Sequence, residues 1–193
     1  LDPVEVDDDL LRLVAEEPRL MPHFHLSAQA GDDMVLKRMK RRHLRADVVA
    51  LAARLRALRG EVALGADLIA GFPTEDEAMF RRSLDLVDEA GLTHLHVFPF
   101  SARPGTPAAR MPKVAGDVVK ERAARLRARG AAAMEAFLST RQGREASVLV
   151  EADGQGFCEH YLPVRVNGAP PEGSVVRVRV AGRAGNALIG EPL

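Results

Sequence analysis

The sequence predicts an α/β protein, a partial (β/α) barrel followed by a small all-β barrel. Three observations carry this. HLSAQAGDD (His25–Asp33), GADLIAGFPTE (Gly65–Glu75) and HVFPFSARPGTPA (His96–Ala108) each begin as a short apolar run. Each then breaks into Gly, Pro, Ser or a carboxylate, as where a buried parallel strand hands over to its loop at the ligand-binding end of a barrel. Amphipathic helical spacing separates the three segments. Past Gly143 the texture changes to short β-branched runs divided by glycine turns.

In chain order, Asp7–Asp9 cap a helix over Leu10–Glu17 with Leu10, Leu11, Leu13 and Val14 apolar. Phe24–Ser27 is a strand, and Asp32 and Asp33 cap the helix after it. A longer helix covers Ala46–Arg59 and stops at Gly60. Val62–Ala70 is apolar at nearly every position except Asp67, the pattern of a strand covered on both faces. Thr74 and Glu77 have the spacing of a capping box for a helix running to Ala90. Leu95–Phe100 is the third strand. A long helix spans 117–142, and Gly143 ends it. Ala146–Glu151, Leu162–Val166 and Val175–Val180 are strands of a second domain. The expected division is 1–142 for the partial barrel and 143–193 for an OB-like barrel.

The 193 residues are 47% apolar, enough for a core and too much for disorder. No apolar run approaches the roughly 20 residues of a membrane helix, and no signal peptide is visible, so a cytoplasmic protein without membrane contact is expected. The single cysteine, Cys158, excludes an internal disulfide and a self-contained thiolate cluster site. It is expected half-buried in the small barrel. Net charge is zero but segregated. Basic residues crowd Lys37–Arg59 and Arg110–Arg144, and acids gather in Asp2–Glu17 and Glu61–Glu89. The two basic blocks point to a polyanion partner, the alternative being solvated helix faces.

Asp67 stands out because a carboxylate inside an apolar strand costs several kcal/mol unless paired. It is either held by a buried partner or accepts ligand hydroxyls at the barrel mouth. Gly71 removes a side chain where a ligand could approach the backbone. Glu75 fits the helix N-terminus. Gln29 lies at a strand end, where an amide usually serves the neighbouring backbone. Arg41 and Arg42 are expected in the last turn of a helix, where cations favour the last carbonyls, and His43 at the surface or as a cap. His23, His25, His94 and His96 form two H-x-H pairs. No carboxylate or cysteine is spaced with them, and no metal site is expected there. No residue is required as a general acid or base.

Taken together, HLSAQAGDDMVLKRMKRRH, GADLIAGFPTE and HVFPFSARPGTPA resemble successive strand–loop units of the radical S-adenosylmethionine methylthiotransferases. MKRRH and FSARPGTPA look most like the branch that modifies N6-threonylcarbamoyladenosine beside the tRNA anticodon. ASVLVEADGQGFCEHYLPVRV resembles the TRAM barrel, an RNA-binding module of these enzymes. The resemblance implies that Gln29 and Asp67 hold ribose hydroxyls of S-adenosylmethionine and that Arg41 pairs with its carboxylate. It also implies that Ser27, Ile69 and the Phe98–Phe100 strand line the cofactor site, to which the residue reading adds Gly71. In the intact family enzyme a reduced [4Fe–4S] cluster cleaves S-adenosylmethionine to a 5′-deoxyadenosyl radical, and sulfur and then methyl are installed on carbon 2 of the purine.

The family's C-x-x-x-C-x-x-C loop and its second cluster domain precede the first residue here, so the ligands of both [4Fe–4S] clusters are absent from this chain. The expectation is therefore a C-terminal portion of a tRNA methylthiotransferase, inactive alone, with tRNA as partner and the sulfur donor and oligomeric state unspecified. Rival readings are the isopentenyladenosine or ribosomal-protein aspartate branches and coproporphyrinogen oxidation, which does not account for the terminal barrel. The remaining rival is a non-catalytic RNA-binding protein. Tyr161 is expected in the barrel core, the alternative being a stacking face.

Overall fold

The computed structural model describes residues 1–193. Cα packing divides them into two compact units, Leu1–Glu17 with Phe24–Ala133, and Pro18–His23 with Met134–Leu193. No helix is long and apolar enough to cross a membrane.

The first unit is built on three strands in the order β1 (His23–Gln29), β2 (Ala63–Ala70), β3 (His94–Pro99). β2 and β3 run parallel, with Asp67 opposite His96 and Ile69 opposite Phe98. Helices α1 (Asp8–Glu16), α2 (Asp33–Arg38), α3 (Arg45–Arg59), α4 (Glu77–Glu89) and α5 (Gly116–Ser139) complete the α/β pattern. The sheet's alternation decides which side chains are free to work. Phe24, Leu26 and Ala28 of β1 and Leu64, Ala66 and Leu68 of β2 are buried with Leu55 of α3 and Leu86 of α4. Each fully buried Leu of this kind contributes roughly 1.5–3 kcal/mol. The opposite face presents His25, Ser27 and Gln29 from β1, Asp67 and Ile69 from β2, and His96 and Phe98 from β3.

Caps mark the helix starts. Asp7 accepts from the Leu10 N–H, Asp32 from Val35 and Asp76 from Met79. The last corrects the Thr74 capping box: α4 begins at Glu77 behind Asp76, and Thr74 sits upstream in a left-handed turn with φ +65°. Glu75 is not at the helix start either. It folds back, buried, under the loop.

The second unit is a closed barrel in the order β4–β5–β6–β8–β7. The strands are β4 (Glu145–Ala152), β5 (Gln155–Cys158), β6 (Pro163–Val166), β7 (Val175–Ala184) and β8 (Ala187–Pro192). Val148, Val150, Leu162, Val164, Val178 and Leu188 fill it, and Leu138 from the end of α5 caps the core. That packing divides the chain inside α5, whereas the glycine signal places the division at Gly143. Cys158 is buried here, which pushes its thiol pKa up. Tyr161 is exposed rather than core, with φ +58°, and stacks on Phe157 at 4.8 Å between ring centroids.

Candidate cofactor cleft

The open face of the first unit leads into a cleft of about 420 Å³ lined by Gln29, Asp67, Ile69, Phe98, Phe100 and Arg103, among others. A second hollow of about 270 Å³ shares Gln29 and Ile69 and is bounded by Arg38, Lys40 and Arg41. Gln29 and Ile69 therefore stand between the two. A small apolar cluster of Ala30, Val35, Leu36 and Phe72, with Phe100 and Met111 against it, supports this end of the strands.

Gln29 closes β1 with a left-handed backbone, φ +65°, an uncommon conformation for a residue with a side chain. It is only 9% exposed, yet its amide has no hydrogen-bond partner in the protein. Its amide therefore does not serve the neighbouring backbone, and it opens on both hollows. Asp67 is met by two imidazoles. His25 Nε2 lies 2.9 Å and His96 Nδ1 3.3 Å from the same oxygen, Oδ1, while Oδ2 has no partner. The half-buried carboxylate is thus paired with histidines from both flanking strands.

Arg41 lies past α2 rather than at its last turn, after Lys40 with φ +59°, and its guanidinium sits 3.6 Å from Asp2. His43 corrects the surface expectation: it is 1% exposed, and its Nε2 lies 3.1 Å from the Ala28 carbonyl at the end of β1. Ser27 faces the same side as Gln29 but lines neither hollow; its N–H bonds the Leu1 carbonyl. Gly71 is a second correction. A Cβ there would lie 2.5 Å from the Val119 side chain, so the space left by the glycine is filled by α5 and not by a ligand.

What holds the loop was invisible in the sequence. Glu75 Oε2 accepts from the Gly71 N–H at 2.9 Å and from Arg122 Nη1 at 2.9 Å, and Arg122 also donates to the Glu75 carbonyl at 2.8 Å. Burial raises the Glu75 carboxyl pKa even so, against the Gly71 hydrogen bond and the Arg122 charge that lower it.

Several of the basic residues in the two candidate polyanion blocks are paired with carboxylates. Arg42 meets Glu5, Arg45 Glu89, Arg54 Asp8, Arg125 Glu77 and Arg129 Asp88. The acidic segments supply these partners. Lys40 and Arg103, at the hollows, keep no carboxylate partner.

Residues 1–87 match the model of the radical SAM superfamily. Over 94% of its length the chain is 46% identical to threonylcarbamoyladenosine tRNA methylthiotransferase MtaB of Rickettsia prowazekii. It is 40% identical, over 99% of its length, to tRNA-2-methylthio-N(6)-dimethylallyladenosine synthase of Cereibacter sphaeroides. Along nearly its whole length the chain is thus similar to radical SAM methylthiotransferases. It spans 43% and 45% of the length of those two relatives. Coproporphyrinogen III oxidase (HemN) of Escherichia coli shares the fold, with a TM-score of 0.51 and 22% identity over 72% of this chain and 31% of that one.

The radical SAM likeness raises two groups to test against these residues, S-adenosylmethionine and an iron–sulfur cluster. The cleft fits the first: an unsatisfied amide and an unsatisfied carboxylate oxygen open on a space with apolar walls from Ile69 and Phe98. The residues here do not fit the second. A cluster needs a set of thiolates, and Cys158 is alone and buried in the barrel of the other unit.

Proposed function

We propose that the chain supplies the S-adenosylmethionine cleft and an RNA-contacting barrel to an enzyme that places a methylthio group on carbon 2 of N6-threonylcarbamoyladenosine in tRNA. The observation that carries the cofactor part is the pair of unmet hydrogen-bonding groups, the Gln29 amide and Asp67 Oδ2, on one 420 Å³ cleft. Two acceptors set on neighbouring strands suit the vicinal hydroxyls of a ribose. Phe98, half exposed on β3, and Ile69 beside it offer apolar surface to the rest of the nucleoside. Arg41 in the adjoining hollow takes the methionine carboxylate, exchanging its contact with Asp2 for a stronger bidentate one.

S-adenosylmethionine supplies the one-electron hydrogen-abstraction chemistry and the methyl group; the residues here bind and orient it. The small barrel acts as a TRAM module, with the exposed Tyr161–Phe157 stack as its face for RNA bases. The threonylcarbamoyladenosine branch is supported by the wording MKRRH and SARPGTPA and by the name of the 46% identical relative. The dimethylallyladenosine branch has the support of the relatives at 40% and below.

Nucleoside mass spectrometry of tRNA from cells with and without the gene separates these. Loss of the methylthio group from threonylcarbamoyladenosine alone, restored by the gene, is the expected result. Loss from the isopentenyl nucleoside assigns the sister branch. An unchanged profile overturns the enzymatic reading and leaves an RNA-binding protein.

A further inference from the structure

The same face of the sheet carries a second constellation, which shares only Asp67 with the cofactor cleft. We infer that His25, Asp67 and His96 form a binding site for one divalent first-row transition-metal ion. Each strand contributes one ligand: His25 from β1, Asp67 from β2 and His96 from β3. Their ligand atoms all lie within 4.8 Å of one another.

The separations match coordination. Metal–ligand bonds of about 2.0–2.2 Å put neighbouring ligands about 3.0 Å apart at right angles and about 3.4 Å apart at tetrahedral angles. His25 Nε2 and His96 Nδ1 stand 2.9 Å and 3.3 Å from Asp67 Oδ1. An ion entering the triangle needs only small side-chain shifts. Two imidazoles and one carboxylate suit zinc, cobalt, nickel or ferrous iron rather than magnesium or calcium, which favour all-oxygen sets.

A second observation is the space made for the site. A Cβ at Gly65 would lie 2.3 Å from His25 Nδ1, so the imidazole occupies the place a side chain on β2 would take. The glycine gives the ring room beside β2 with Nε2 toward Asp67, and the His25 and His96 rings meet at 4.5 Å between centroids. The His96 side chain is 63% exposed, so the ion has an approach from solvent and a coordination position open to water or a ligand. Asp67 Oδ2 is outside the triangle, so an ion on Oδ1 leaves Oδ2 for the cleft.

The test is titration of the full 193-residue chain, stripped with chelator, with Co²⁺ followed by visible d–d bands and with Zn²⁺ followed by calorimetry. It involves no S-adenosylmethionine, so its outcome is independent of the cofactor reading. The expected result is one ion per chain, with d–d bands and no thiolate charge-transfer band. His96→Ala removes an exposed ring, and circular dichroism checks its fold. It should weaken binding by about 100-fold or more, since losing outer-shell support alone costs roughly 10–100-fold. Gly65→Ala, which displaces His25, should weaken it too, while Cys158→Ser leaves it unchanged. Absence of stoichiometric binding overturns the inference. So does binding that survives His96→Ala, or binding that is lost in Cys158→Ser with a thiolate band, which places the ion at Cys158, Glu159 and His160.

Discussion

Arg122 donates from Nη1 to Glu75 Oε2 at 2.9 Å, and both side chains are almost wholly buried, 6% and 1% exposed. Through Gly71, whose N–H shares the same carboxylate oxygen, this pair fixes the loop that follows β2 and therefore the floor beside the cleft.

Removing Arg122 leaves a buried, uncompensated acid. Arg122→Met should destabilise the chain by about 3–5 kcal/mol in urea unfolding, the usual cost of breaking a buried pair. Glu75→Gln/Arg122→Met should recover part of the loss, because no buried charge remains. The Glu75 pKa is already raised by burial, so its favourable share is present below the ordinary carboxylate value of 4.5 and is lost as pH rises through its folded value. Loss of the arginine raises that pKa further, and the deficit of Arg122→Met should grow from acid toward neutral pH. A pH-independent deficit would contradict this account.

Gly71→Ala should destabilise by about 1–3 kcal/mol, from the left-handed backbone at φ +75° and from collision with Val119. Adding Val119→Ala should relieve the collision and leave the backbone cost. If Gly71→Ala is neutral in stability but abolishes cofactor binding, the glycine serves the ligand and not α5.

How much of this was legible depended on range. The strands that end in loops announced themselves, since an apolar run such as Leu64–Ala70 followed by Gly71 and Pro73 is a local signal. β5 and β8 were missed because Gln155–Cys158 and Ala187–Pro192 are short and glycine-bearing; only barrel closure makes them strands. Thr74 had the right spacing for a cap, but Asp76 caps α4 instead. Asp67 was conspicuous, yet its histidine partners were not, because His25 is 42 residues away and pairs only through the sheet register. Individual ion pairs were hidden for the same reason: Arg45 and Glu89 are far apart in sequence and bonded at 2.5 Å in the fold.

The paired arginines make a sharp prediction for tRNA binding. Arg54→Ala removes a cation already neutralised by Asp8, whereas Lys40→Ala and Arg103→Ala remove cations without a carboxylate partner. The latter two should each weaken tRNA binding and lower the salt slope by about 1, with Arg54→Ala near wild type. Equal effects at all three positions would mean that the field of the whole surface, and not the cleft margin, holds RNA.

The barrel's share is tested at Tyr161. Tyr161→Ala should weaken single-stranded anticodon-loop RNA by about 1–3 kcal/mol, the usual worth of a stacked base, with little change in salt slope. Unchanged affinity would assign the Tyr161–Phe157 stack to barrel packing alone.

The cofactor cleft is tested most directly by NMR titration of the isotope-labelled chain with S-adenosylmethionine. The account predicts saturable shifts at Gln29, Ile69 and Phe98 that are lost in Asp67→Ala and retained in Ser27→Ala, whose side chain lines neither hollow. Shifts confined to other surfaces, or an Asp67→Ala variant that binds as the wild type does, would contradict it.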